Sequence, residues 1–96
     1  MAIETVQDLE ARMDAVAEVC RFTVRGRSFV QFEPIGATGV LVLAESHFSA
    51  HTFPESKSVF VDVFCCSETF DPKACAASVE RAFGAKLGTW NTVMRQ

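Results

Sequence analysis

The run at residues 59–66, V-F-V-D-V-F-C-C, constrains the fold more than any other stretch of the chain. Its β-branched and aromatic content marks a strand. A strand sends alternate side chains to opposite faces. Val59, Val61, Val63 and Cys65 therefore share one face, and Phe60, Asp62, Phe64 and Cys66 share the other. Both sets are mostly apolar, so both faces of the sheet must be covered. Residues 40–43, V-L-V-L, form a shorter strand of the same buried type.

Two helices are available as cover. Thr5 is a helix cap with acidic Asp8 three residues on, and Val6, Leu9, Met13, Val16 and Cys20 then recur at helical spacing. These residues predict a helix over 6–19. Asp71-Pro72 is a helix start, with Asp as the cap and Pro at the first helical position. Cys75, Val79, Ala82 and Phe83 follow on one stripe, and Gly84 is a fitting stop.

The remaining segments are shorter signals. Residues 21–33 read as one long strand with a bulge near Gly26, or else as a tight hairpin at 25–27. Residues 34–39 read as a turn. Residues 45–57 read as a loop, since Pro54 argues against a central strand there. Residues 88–95 alternate weakly and are expected to form a last strand. The order is helix, strand, strand, strand, helix, strand.

Two helices cover one face of such a sheet and leave the other bare. The simplest cover for the second face is the same sheet from another copy of the chain. The expected fold is α+β: a two-layer α/β sandwich with an antiparallel sheet and two helices on one face, pairing as an αββα homodimer.

Totals narrow the function classes. Ninety-six residues make a single domain, 1–96. The net charge is −3 and no Lys/Arg run occurs, which argues against a nucleic-acid partner. No apolar run approaches the roughly 20 residues of a membrane helix. The start, M-A-I-E-T-V-Q-D, lacks the regions of a signal peptide, so a cytoplasmic location is expected. The four cysteines then read as free thiols, and no C-x-x-C pair suggests zinc. His47, His51, Cys65 and Cys66 make a poor metal set because adjacent cysteines on a strand point apart. No metal is expected. Cys20 and Cys75 fall on the apolar stripes of the helices and read as core.

Between the two buried strands lies the polar stretch 43–55, L-A-E-S-H-F-S-A-H-T-F-P-E. Taken singly, its residues are ordinary: Ser46 a turn residue, His51 a loop histidine, Glu55 a solvated acid. Their joint spacing is not. Glu45-Ser46-His47, His51-Thr52, Pro54-Glu55 and then Cys66, twenty residues after Ser46, resemble the small prokaryotic S-adenosylmethionine decarboxylase proenzymes. That family carries E-S-H-x-x-x-H-T-W-P-E followed by a distal cysteine. The preceding G-A-T-G-V-L-V-L and F-E-P are similar to its glycine-flanked strand and F-x-P.

The resemblance implies a chain that cuts itself between Glu45 and Ser46, giving fragments 1–45 and 46–96. Ser46 would become a pyruvoyl group, the cofactor that forms a Schiff base with the substrate amine. A serine is needed because the chemistry requires a β-heteroatom leaving group. His51 matches the processing base, and Cys66 matches the acid that protonates carbon after carbon dioxide leaves. Thr38 stands where the family has a serine whose hydroxyl assists processing. Phe32 matches an aromatic that stacks on adenine, and Glu55 a carboxylate that binds the ribose hydroxyls. The implied activity supplies decarboxylated S-adenosylmethionine for spermidine, a polyamine.

Three features depart from the family pattern. Members open with a strand of the G-R-H-L-L-L-D type, whereas this chain begins almost at its helix. The tryptophan of W-P-E is Phe53, and Ser56-Lys57-Ser58 replaces a Y-G-Y-like segment. Two other readings follow from these departures and from the fold. One is the same cofactor acting on ornithine or arginine. The other is a non-processing regulatory relative.

Overall fold

The structure is a computed structural model that describes residues 3–44, 46–56, 58–64 and 71–84. The elements run α1 (Val6–Cys20), β1 (Val24–Gln31), β2 (Ala37–Leu43), β3 (His47–Phe53), a short 3-10 turn (Pro54–Ser56), β4 (Ser58–Phe64) and α2 (Pro72–Phe83). The strands form one antiparallel sheet in the order β1-β2-β3-β4.

Both helices begin where the sequence places them. Thr5 Oγ1 accepts from the Asp8 amide at 3.1 Å, which satisfies one of the free donors of the first turn of α1. The Asp71 carboxylate accepts from the amides of Lys73 and Ala74 in α2. Gly84 ends α2 with φ of 65°, a left-handed conformation that suits glycine. Leu9, Met13, Val16 and Ala17 of α1 are buried with Cys75, Val79 and Phe83 of α2. Arg12 joins the two helices by donating to the Ala82 carbonyl at 3.1 Å.

The bulge in β1 is present: the register with β2 shifts between Val24 and Gly26, so the hairpin at 25–27 does not form. Further along, Phe29 pairs with Gly39, and a Cβ at Gly39 would overlap the Phe29 ring. The glycine gives that ring its seat against the core.

Residues 45–57 depart from the expected loop. Their centre is β3, a full strand bonded on both sides. The reason lies in its alternation: Phe48, Ala50 and Thr52 are buried, and His47, Ser49, His51 and Phe53 lie on the opposite side. Pro54 begins just past the strand, in the 3-10 turn, where its missing N–H costs no ladder bond. The turn expected over 34–39 is also shorter, since β2 already begins at Ala37. The strand expected over 88–95 lies outside the described residues.

Consequently the sheet has two unlike faces. Ala37, Leu41, Leu43, Phe48 and Ala50 pack with both helices in one core, with Val59, Val61 and Val63 partly buried against it. The other face carries no described helix. There Phe60 is 68%, Val30 52% and Val42 49% exposed, values far above those of core residues.

Candidate active site

The open face is organised by β3. Register sets Thr38 of β2 opposite His51, and Phe60 of β4 opposite His51 on the other side. Thr38 Oγ1 and His51 Nδ1 lie 3.0 Å apart in a hydrogen bond. Its direction follows the tautomer. With Nδ1–H donating to the Thr38 hydroxyl, the lone pair of Nε2 is left to accept a proton. The hydroxyl can serve either tautomer, since it both donates and accepts, and in either case it fixes the orientation of the ring.

Aromatic rings surround this pair. Phe53 stacks on His51 with centroids 4.4 Å apart and planes 9° apart. Phe32 stacks on the same imidazole at 5.4 Å and 28°. Phe60 tilts against Phe53 at 5.1 Å. Beside them is a shallow pocket of about 200 Å³ lined by Thr38, Ser49, Ala50, His51, Phe60, Val61 and Asp62. Glu55 follows on the exposed 3-10 turn just after Phe53.

Ser46 stands at the other end of β3. It precedes the strand, and its carbonyl accepts from the Leu43 amide at 2.9 Å, closing the β2–β3 hairpin. His47, next in the chain, pairs with Phe64, the last residue of β4. His47 Nε2 lies 3.2 Å from Asp62 Oδ2. Cys66 comes two residues after Phe64, outside the described residues, as does Glu45.

Of the residues singled out in the sequence, Thr38, His51 and Phe32 come together. Ser46 does not join them within one chain. Five residue steps along extended chain separate it from His51, about 16 Å at the usual rise of about 3.3 Å per residue. Phe32 is packed on an imidazole and only 38% exposed, so a stacked ligand would share that ring with His51. Phe53, Phe60, Ser49 and Asp62 were not singled out as site residues. The alternation of H-F-S-A-H-T-F was the available signal for the first strand partners, and register across β4 supplied the rest.

A sheet backed by helices on one face, with ionisable and aromatic side chains on the other, defines a small α+β protein with a candidate site on its open face. The S-adenosylmethionine decarboxylase family model matches residues 1–96. A curated relative, the S-adenosylmethionine decarboxylase proenzyme of Symbiobacterium thermophilum, is 40% identical over 93 residues, 97% of this chain and 70% of the relative. That of Thermodesulfovibrio yellowstonii is 37% identical over 87 residues, 88% of this chain and 64% of the relative. The chain thus spans about two thirds of the length of these relatives. The crystal structure of the adenosylmethionine decarboxylase from Aquifex aeolicus VF5 matches with a TM-score of 0.77 and 28% identity, covering 98% of this chain and 84% of that one. The chain belongs to the S-adenosylmethionine decarboxylase family.

Proposed function

We propose that the chain is a self-processing, pyruvoyl-dependent S-adenosylmethionine decarboxylase, a carboxy-lyase that supplies spermidine synthesis. The observation that carries this reading is the Thr38–His51 hydroxyl–imidazole pair at 3.0 Å, in a chain of this family that also keeps Ser46 behind Glu45.

Self-cleavage begins with the Ser46 hydroxyl adding to the Glu45 carbonyl carbon. The C–N bond breaks, nitrogen takes a proton, and an ester replaces the amide. A base then removes the α-proton of residue 46, the Cβ–Oγ bond breaks, and Glu45 leaves as a carboxylate. Water hydrolyses the remaining enamine with release of ammonia, which leaves the pyruvoyl group. His51 is the base, and Thr38 holds its ring in place. Ser46 fits the group because it supplies the oxygen that must leave and lies at a strand end whose carbonyl is already held by the Leu43 amide. The pyruvoyl group, once formed, supplies the electron sink for decarboxylation. Cys66 is the proton donor, Phe32 and Phe53 give flat faces for a base ring, and Glu55 receives the ribose hydroxyls.

The active unit is a homodimer. About 16 Å of β3 keeps Ser46 from the His51 of its own chain. The exposed Val30, Val42 and Phe60 give the open face apolar area to bury. A twofold axis between two such sheets, running across the strands between Phe48 and Ser49, sets Ser46 of each copy opposite His51 of the other. Each site then takes its serine from one copy and its base from the second.

Denaturing electrophoresis with intact mass tests the cleavage. Fragments 1–45 and 46–96 are expected, and an intact chain in fresh and aged samples would overturn it. Carbon dioxide released from labelled S-adenosylmethionine, and not from labelled ornithine or arginine, checks the substrate.

A further inference from the structure

The His47–Asp62 contact has no part in the chemistry above. His47 Nε2 and Asp62 Oδ2 are 3.2 Å apart, with side chains 39% and 60% exposed. The His47 ring also tilts against Phe64, with centroids 5.6 Å apart. The pairing is diagonal across β3 and β4, since His47 is opposite Phe64 and Asp62 is opposite Ser49.

Its place in the chain gives it a use. His47 is the first residue after Ser46, so cleavage leaves it second from a new chain end. Before cleavage, the start of β3 is tethered to β2 by the hairpin. Afterwards that tether is cut, and strand ends fray readily. β1 and β2 then belong to one fragment, and β3 and β4 to the other. The Leu43–Ser46 bond becomes a contact between fragments, whereas His47–Asp62 lies within the fragment that carries residue 46.

We propose that the His47–Asp62 pair is a positioning device that holds the newly made chain end at residue 46 in register on β4. The inference rests on the self-cleavage reading given above. Neither residue touches the reacting atoms in this role. Their bond limits how far the end can swing, and the rate of the decarboxylation depends on that placement. A partly exposed pair of this kind is worth at most about five-fold in the fraction of ends held in place.

Hydrogen exchange at the backbone amides of residues 47–51 tests it in two backgrounds. One is the cut wild-type protein, and the other is the uncut Ser46→Ala chain. Asp62→Asn is expected to speed exchange about two- to five-fold in the cut protein and to leave the uncut chain unchanged. In the cut protein kcat falls by a similar factor while KM holds, and Asp62→Glu restores both readouts to within about two-fold. A merely structural pair would give equal effects in both backgrounds, which would overturn the inference. So would an unaltered exchange rate in the cut protein. A wild-type chain that stays uncut would remove the cleavage reading and this inference together, whereas a cut chain with equal exchange removes this inference alone.

Discussion

The two ends of the open face are held in different ways. At the His51 end, β2, β3 and β4 all contribute: Thr38 bonds the imidazole, Phe53 and Phe32 stack on it, and Phe60 closes against Phe53. At the Ser46 end the chain turns in a hairpin, one backbone bond closes it, and a half-exposed His47–Asp62 pair stands beside it. The first end is organised within a single chain. At the second, Ser46 stands about 16 Å along the strand from His51. The contrast is what the proposed dimer would resolve: under that proposal each end is half of a site, and a second copy reversed across the open face brings the halves together.

The largest effect belongs to the nucleophile. Ser46→Ala is expected to abolish cleavage outright, leaving one full-length band on a denaturing gel, because alanine has no oxygen to attack or to leave. Next comes the base. His51→Ala should slow cleavage by about 10²- to 10⁴-fold, the usual contribution of a positioned general base, followed by the appearance of fragments over time. Comparable slowing from Phe60→Glu would arise by another route. Phe60 is 68% exposed, so the change should shift monomer stability by less than about 0.5 kcal/mol. It would nonetheless put a charge into the copy-to-copy interface, and light scattering should then report a monomer with a nearly unchanged melting temperature. A stable, cut dimer carrying Phe60→Glu would break the comparison between the ends.

Smaller effects sharpen the His51 end. Thr38→Val removes the oxygen beside Nδ1 and should slow cleavage by about five-fold, the worth of one hydrogen bond of roughly 1 kcal/mol. Thr38→Ser should keep the wild-type rate, since it keeps the hydroxyl. Smallest is a change remote from both ends. Asp71→Ala removes the acceptor that caps α2 and should cost about 1 kcal/mol, read as a lower melting temperature at an unchanged rate of cleavage.

Much of this layout is legible in the residues. The caps Thr5 and Asp71, the stop at Gly84 and the stripes of α1 and α2 are local signals, and local physics settles them. The bulge at Gly26 likewise follows from a glycine inside a strand pattern. The joint spacing of Glu45-Ser46-His47, His51-Thr52, Pro54-Glu55 and Cys66 points to the family, whose model matches the chain. β3 was harder to see. Its outward face carries His47, Ser49 and His51, polar residues that imitate a loop, and Pro54 follows directly. A strand with one face left open looks unlike a strand buried on both. Asp62 and Phe60 were read as strand residues, but their nearness to His47 and His51 depends on the β3–β4 register, which no single segment encodes. The separation of Ser46 from His51 was hidden for the same reason: five residues in a loop can fold back, and five in a strand cannot.

One measurement tests the divided site most directly. The Ser46→Ala and His51→Ala chains are produced separately and together, with a size tag on the His51→Ala chain. Alone, the Ser46→Ala chain should stay whole, and the His51→Ala chain should be cut only at its residual rate, about 10²- to 10⁴-fold below wild type. Together, the His51→Ala chain should be cut faster after Glu45, because the Ser46→Ala copy lends it an intact His51. A His51→Ala chain cut no faster in the mixture than alone, while mixed dimers are shown to form, would contradict a site shared between two copies.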